Sequence, residues 1–200
     1  MHHIVIDART INSSNGEYIG RFLDQLQIIN KTNKYTVLIR PKDKDYWKPT
    51  TDKFSTKIID INNCFFIEQF KLKRLLNRLS PDLVHFYTSK QPVSYKGRHV
   101  TTLYNLMDIP SLSPIKTGYF RRFINKYIFE KIIQNNEYVI VSSSLIKKEL
   151  LKSINITEAT VAIIPYEISS SSDTTQDFWH QVAQQTYSVY IDAIRDHIKI

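Results

Sequence analysis

The stretch PDLVHFYTSKQPVSYKGRHVTTLYNLMDIP, residues 81–110, decides the fold. It holds two short apolar runs, Asp82–Tyr87 and His99–Tyr104, each rich in β-branched and aromatic residues. Pro, Gly, Ser and Asn close them off. Their apolar character is nearly continuous instead of alternating, which predicts central strands of a parallel sheet covered on both faces. Ligands of such sheets gather outside the carboxyl ends of the strands. Those ends here carry His85–Gln91 and Tyr104–Asp108, so a site is expected there.

Outward from this pair the chain alternates strands and helices. His3–Asp7 reads as a strand, and a polar loop over 8–15 leads to Gly16. Asn15-Gly16 supplies a turn, since glycine adopts positive φ and lets backbone approach closely. A helix follows, with Tyr18, Ile19, Phe22, Leu23, Leu26 and Ile29 on one face. Amides at its start could hold an anion; a plain strand-to-helix turn explains the same residues. Strands are expected at Tyr35–Arg40, Thr56–Ile61, Glu137–Val141 and Thr160–Ile164. Helices are expected at Ile67–Leu79, with Phe70, Leu72, Leu75, Leu76 and Leu79 as its apolar face, at Thr117–Gln134 and at Leu145–Ser153. Ser142, Ser143 and Ser144 offer caps for the last of these. The pattern predicts an α/β fold: one doubly wound parallel sheet of about seven strands, flanked by helices, with right-handed crossovers.

After Pro165 the texture changes. Residues 167–176 read as a Ser-rich linker without periodicity. Residues 177–198 read as one long amphipathic helix. One row holds Phe178, Val182, Thr186, Val189 and Ala193; the row beside it holds Trp179, Ala183, Tyr187, Tyr190 and Ile194. So broad an apolar face must cover something, and packing back on the α/β domain (residues 1–166) is the expectation.

Composition narrows the chemistry. The net charge of +8 favours anionic partners, but no nucleic-acid motif accompanies it. Four glycines in 200 residues leave no GxGxxG and no Walker loop. A single Cys, Cys64, precludes an internal disulfide and fits a reducing, cytoplasmic setting. With no clustered His or Cys, a structural zinc site is not expected, and no cofactor is expected. His85 stands at a strand end, where it either meets a ligand or is a core histidine with both ring nitrogens satisfied; burial statistics favour the latter. The 117–134 helix mixes Arg121, Arg122, Lys126 and Lys131 with aromatics. It reads either as a core helix with solvated charges or as a cationic face for anionic lipid headgroups. Asp82 and Asp108 are the acidic residues near the expected site, and spacing gives no reason to pair them.

The landmarks HIVIDARTINSSNGEYIGRFL (3–23), PDLVHF (81–86), VTTLYNL (100–106), YVIVSSSLIKKELLK (138–152) and TVAIIPYE (160–167), taken in this order, resemble the amino-terminal domain of family-four, GT-B-type glycosyltransferases. FWHQVAQQTYSVYIDAI (178–194) is similar to the helix that closes the whole GT-B chain. The resemblance implies a Rossmann-like, acceptor-side half without its nucleotide-sugar-binding domain. It implies a cleft lined by Asn15, Gly16, His85, Tyr104, Asn105 and Ser143. Relatives carry a His-Asp pair where this chain has Tyr104-Asn105, and a Glu where it has Ser144. A phenol titrating near pH 10 and a neutral amide do not reproduce a His–carboxylate couple. The functional expectation is therefore the acceptor half of a sugar-nucleotide-dependent transferase, inactive alone. The expected partners are a donor-binding domain in trans and a sugar or lipid-linked acceptor. An anionic membrane surface is expected to meet residues 117–134, giving peripheral placement at the inner membrane face. The competing expectation is a non-catalytic binding or scaffold module that keeps the fold.

Overall fold

A computed structural model describes residues 1–13, 16–60, 65–109, 119–165 and 175–195. Seven strands form one sheet: β1 (His3–Asp7), β2 (Lys34–Ile39), β3 (Phe54–Ile58), β4 (Leu83–Phe86), β5 (His99–Leu103), β6 (Tyr138–Val141) and β7 (Val161–Ile163). Every pairing is parallel, in the order β3-β2-β1-β4-β5-β6-β7. The helices are α1 (Gly16–Ile29), α2 (Phe65–Leu79), α3 (Tyr119–Gln134), α4 (Ser144–Ser153) and α5 (Thr175–Arg195). This is a Rossmann-like, doubly wound α/β architecture.

The topology follows from which side chains need cover. β4 and β5 are buried along their whole length, as continuous apolar runs require. Along β1, Ile4 and Ile6 join the core beneath α1 and α5, while Val5 joins Leu72 and Leu76 of α2 on the opposite face. Leu103, Val139 and Val141 meet α3 and α4 on the α2 side. The chain winds from β1 toward β3 with α1 on one face. It then returns through α2 and winds toward β7 with α3 and α4 on the other. Helices change face where the winding direction reverses, so all crossovers share one hand. α2 ends at Ser80, whose φ of 43° places a serine where glycine usually sits; Pro81 then forbids further helix.

α5 packs along α1. Trp179, Val182, Ala183, Thr186, Val189, Tyr190, Ala193 and Ile194 are all buried, and Phe178 and Tyr187 are half-buried. The helix runs from the carboxyl ends of the strands, where Trp179 meets Tyr18, to their amino ends. There Arg98 Nη1 donates to the Ile194 carbonyl (3.2 Å) and Asn33 Nδ2 to Tyr187 Oη (3.3 Å). The expected linker falls mostly on residues 166–174, outside the described residues, as does Cys64. Among the described residues no helix is long and apolar enough to cross a membrane.

One expected apolar face is corrected. On α2, Leu72 and Leu76 are buried, but Phe70 is 67% exposed. Helical geometry sets it 100° or more from those two leucines, on the outer stripe with Ile67, Lys71 and Arg74.

Candidate functional site

β1 and β4 are neighbours whose connections leave in opposite directions, so the topological switch point lies between their carboxyl ends. Asp7 closes β1 there, and Arg9 turns back onto it. Arg9 Nε and Nη2 donate to Asp7 Oδ1 and Oδ2, both at 2.7 Å. Nη1 donates to Glu68 in the first turn of α2, and Nη2 also reaches the Lys90 carbonyl at 3.2 Å. The Arg9 and Asp7 side chains are 3% and 0% exposed, and Glu68 is 19% exposed. Burial by itself would lower the guanidinium pKa. The charges and hydrogen bonds of Asp7, then Glu68, outweigh that and raise it, so Arg9 stays a cation in a dry site. A two-toothed pair of this kind fixes orientation as well as charge.

Across from this cluster, on the other face, the strand ends are filled by aromatic rings. Tyr18 stands edge-on to Tyr104 (5.3 Å), Trp179 (5.3 Å) and Tyr87 (6.2 Å). Tyr87 and Tyr104 lie parallel at 6.0 Å. All four residues are buried, and burial is the leading reason the Tyr87 hydroxyl titrates well above its usual value. Trp179, from the first turns of α5, closes this layer.

The sequence-predicted residues fall in three settings. His85 is fully internal, with Nδ1 bonded to Tyr190 Oη and Nε2 to Thr102 Oγ1 at 2.8 Å; burial pushes its pKa down to about 3. It is a neutral core histidine tying α5 to the sheet. Tyr104 belongs to the aromatic layer, and its backbone is pinned: Ser142 Oγ donates to its carbonyl (2.8 Å) and Asp108 Oδ2 accepts from its amide (2.8 Å). Asn105 is exposed beside it, and its amide donates to the same Asp108 oxygen at 3.0 Å. Burial raises the Asp108 pKa against the pull of the Asn105 and Tyr104 amides. Ser143 caps α4, its Oγ accepting from the Ile146 amide at 3.3 Å. Asn15 lies outside the described residues.

Gly16 is required for a reason other than the one expected. No described glycine has positive φ. A Cβ at Gly16 would instead lie 1.7 Å from the Ile11 carbonyl oxygen, so the close approach is to the chain's own loop. Asp82 and Asp108 are at opposite ends of the sheet: Asp82 precedes β4 and accepts from the His3 amide (2.7 Å), while Asp108 follows β5.

The structure therefore brings Asn105, Ser143, Asp108 and the Arg9–Glu68 pair to one end of the sheet, and keeps His85 inside. Sequence reading missed Asp7, Arg9 and Glu68. The available signal was a carboxylate closing the central strand with a cation two residues on. The strand-end groups can donate to and accept from hydroxyls, and Asp108, whose pKa burial raises, is a carboxylate among them. No group of three His, Cys, Asp or Glu among the described residues could hold a metal.

No protein-family profile matches this sequence, and no curated protein matches it at a significant level. Structural likeness is extensive at low identity. The chain resembles Staphylococcus aureus MnaA solved with UDP (TM-score 0.54, 9% identity), covering 88% of this chain and 50% of that one. It also resembles the UDP-GlcNAc 2-epimerase of Methanocaldococcus jannaschii (TM-score 0.50, 13% identity; 81% and 44%). The lipopolysaccharide outer core galactosyltransferase WaaB is a weaker match (TM-score 0.48, 14% identity; 86% and 47%). The chain spans about half the length of these proteins, and what it shares with the first two is the Rossmann-like fold of one half.

Proposed function

We propose that this chain is the acceptor-side half of a nucleotide-sugar-dependent glycosyltransferase and has no transfer activity by itself. The observation that carries the reading is the chemistry of the strand ends. Asn105 after β5, Ser143 after β6 and the Arg9-held Glu68 carboxylate at the switch point offer hydroxyl-binding groups at the carboxyl ends of the strands. His85, the one imidazole near them, is sealed inside with both nitrogens in use. A site of this composition holds and orients a polyhydroxyl acceptor, with Glu68 and Asp108 as the carboxylates at the strand ends. UDP in the MnaA structure supports a nucleotide-sugar setting for a fold that matches half of that protein. The donor would then be held by a second domain in trans, facing the strand ends.

The aromatic layer favours a second reading. Tyr18, Tyr87, Tyr104 and Trp179 fill space over β4 and β5, which suits a non-catalytic binding or scaffold module retaining the fold. Trans-complementation separates the two. The chain is mixed with donor-binding domains of GT-B transferases, and sugar transfer from UDP- and GDP-sugars to mono- and disaccharide acceptors is followed. Transfer that requires both halves supports the acceptor half; complex formation without transfer supports the scaffold.

A further inference from the structure

β3 is an edge of the sheet, and Ser55, Thr56, Lys57 and Ile58 are exposed in succession along it. Two bonds fix which way its backbone groups point. Tyr35 N donates to the Lys53 carbonyl (2.8 Å), and Ile59 N donates to the Ile39 carbonyl (2.9 Å). Strand periodicity then turns the odd residues of 53–59 toward β2 and the even ones outward. The N–H and C=O of Thr56 and Ile58, with the C=O of Phe54, therefore face solvent. None of these five groups has a partner among the described residues. The Phe54 N–H is already held in a turn by the Thr51 carbonyl (3.4 Å).

Proteins guard such edges with proline, bulges, charges or very short strands. β3 pairs with β2 residue for residue over five positions, without proline or bulge. Its one charge, Lys57, shares the α2 face with Ile59, which packs with Leu72 and Leu76. The other face, of Phe54, Thr56 and Ile58, carries no charge. Phe54 is buried beside Trp47 (ring centroids 6.3 Å apart), yet Ile58, on the same face, is 53% exposed. The strand is thus short of both hydrogen-bond partners and apolar cover at the same place.

We propose that β3 pairs antiparallel with β3 of a second copy of this chain, across a two-fold axis at Thr56. The register is self-complementary, as an isologous contact requires. Thr56 faces Thr56 of the second copy, and the two exchange N–H···O=C bonds. Each Ile58 faces the other copy's Phe54 and donates its N–H to that carbonyl, so the unpaired groups find partners while the Phe54 turn stays intact. Threonine pairs and aromatic–β-branched pairs are favourable cross-strand neighbours. A partner recruited by the net charge of +8 would be acidic, and the uncharged face of Thr56 and Ile58 does not select one.

The chain's own residues 196–200 do not reach this edge. Five residues extend at most about 18 Å. α5 ends over the start of β5, where Arg98 holds the Ile194 carbonyl. Four strand spacings, about 19 Å, separate β5 from β3. In the antiparallel pair the carboxyl ends of the two sheets point in opposite directions, so the strand-end site stays open in both copies. The inference does not rest on the proposed acceptor role.

The test is sedimentation velocity of the full chain over a concentration series up to about 1 mM. For so short a contact, reversible dimerisation with a Kd of about 10–100 µM is expected. It should hold or tighten as salt rises, because both copies are positively charged. Thr56→Pro removes an outward N–H where an edge strand tolerates proline, and Ile58→Lys puts a charge on the uncharged face. Each should weaken dimerisation at least ten-fold with a circular dichroism melt close to the parent's, while Ile28→Ser on α1 changes nothing. If Thr56→Pro does not fold, Ile58→Lys decides. Register is read by cross-linking in a Cys64→Ser background. Thr56→Cys, with Cα atoms about 5.5 Å apart, should form a disulfide between copies. Lys57→Cys, about 8 Å apart on the diagonal, should not. A monomer throughout, a dimer indifferent to both edge variants, equal cross-linking at 56 and 57, or association that weakens with salt overturns the inference.

Discussion

Arg9→Leu tests whether the switch-point cluster is as dry as its geometry indicates. Arg9 satisfies both oxygens of Asp7 at 2.7 Å, and the Asp7 side chain is wholly buried. Leucine would leave that carboxylate enclosed without its counter-charge. Breaking such a pair from one side costs about 3–5 kcal/mol, a large part of the roughly 5–15 kcal/mol that holds a domain together. Glu68 adds little to the loss, because it is 19% exposed and can turn toward water. With a urea slope of about 2 kcal/mol per molar, the unfolding midpoint should fall by roughly 2 M. Asp7→Asn combined with Arg9→Leu removes both charges and should recover a substantial share, giving a coupling energy of about 2 kcal/mol or more. Urea titration followed by tryptophan fluorescence reads this directly. A loss below about 1 kcal/mol for Arg9→Leu, or a double variant no better than the sum of the singles, would show that water reaches Asp7 and refute the reasoning.

Other predictions concern α1, the core histidine and the aromatic layer. Gly16→Ala puts a methyl carbon into the Ile11 carbonyl and should cost at least the roughly 1–3 kcal/mol typical of overpacking. Gly20→Ala, with nothing within 4 Å of the new carbon, should raise stability by about 0.5–1 kcal/mol; thermal melts of the two variants check the contrast. His85 binds its proton less readily folded, at about 3, than unfolded, near 6.5. The unfolded state therefore gains protons first, and stability should fall as pH drops from about 6.5 toward 3, by up to ~1.4 kcal/mol per pH unit from this group. His85→Gln should flatten that slope in urea titrations across the same range. Trp179→Ala should cost about 3–5 kcal/mol by opening a cavity beside Tyr18, read as a drop in melting temperature.

The sheet was legible because its strands carry period and punctuation in their own residues. Pro81, Gly97, Asn105 and Pro165 fall at strand and helix limits, and the buried runs of β4 and β5 need no tertiary context to be seen. The face of α5 was legible for the same reason, as two adjacent rows recurring every three to four residues. What escaped depends on neighbours distant in sequence. Arg9 and Glu68 are 59 residues apart and meet only because α2 crosses under β1. Phe70 reads as core on hydrophobicity alone, yet the helix presents Leu72 and Leu76 to the sheet and turns Phe70 out. Gly16 was recognised as necessary, but the loop carbonyl it admits is set by how residues 8–13 fold back. His85 could be read either way until Tyr190, 105 residues on, supplied its partner.

The central claim is that the strand ends of this chain bind an acceptor but cannot carry out transfer alone. Calorimetric titration of the isolated chain with UDP- and GDP-sugars, paired with a sensitive donor-hydrolysis assay on the same sample, tests it most directly. The account predicts no binding heat at micromolar to submillimolar donor and no release of nucleotide diphosphate. Micromolar donor affinity, or hydrolysis abolished by Asn105→Ala, would contradict it and make the chain a self-sufficient enzyme.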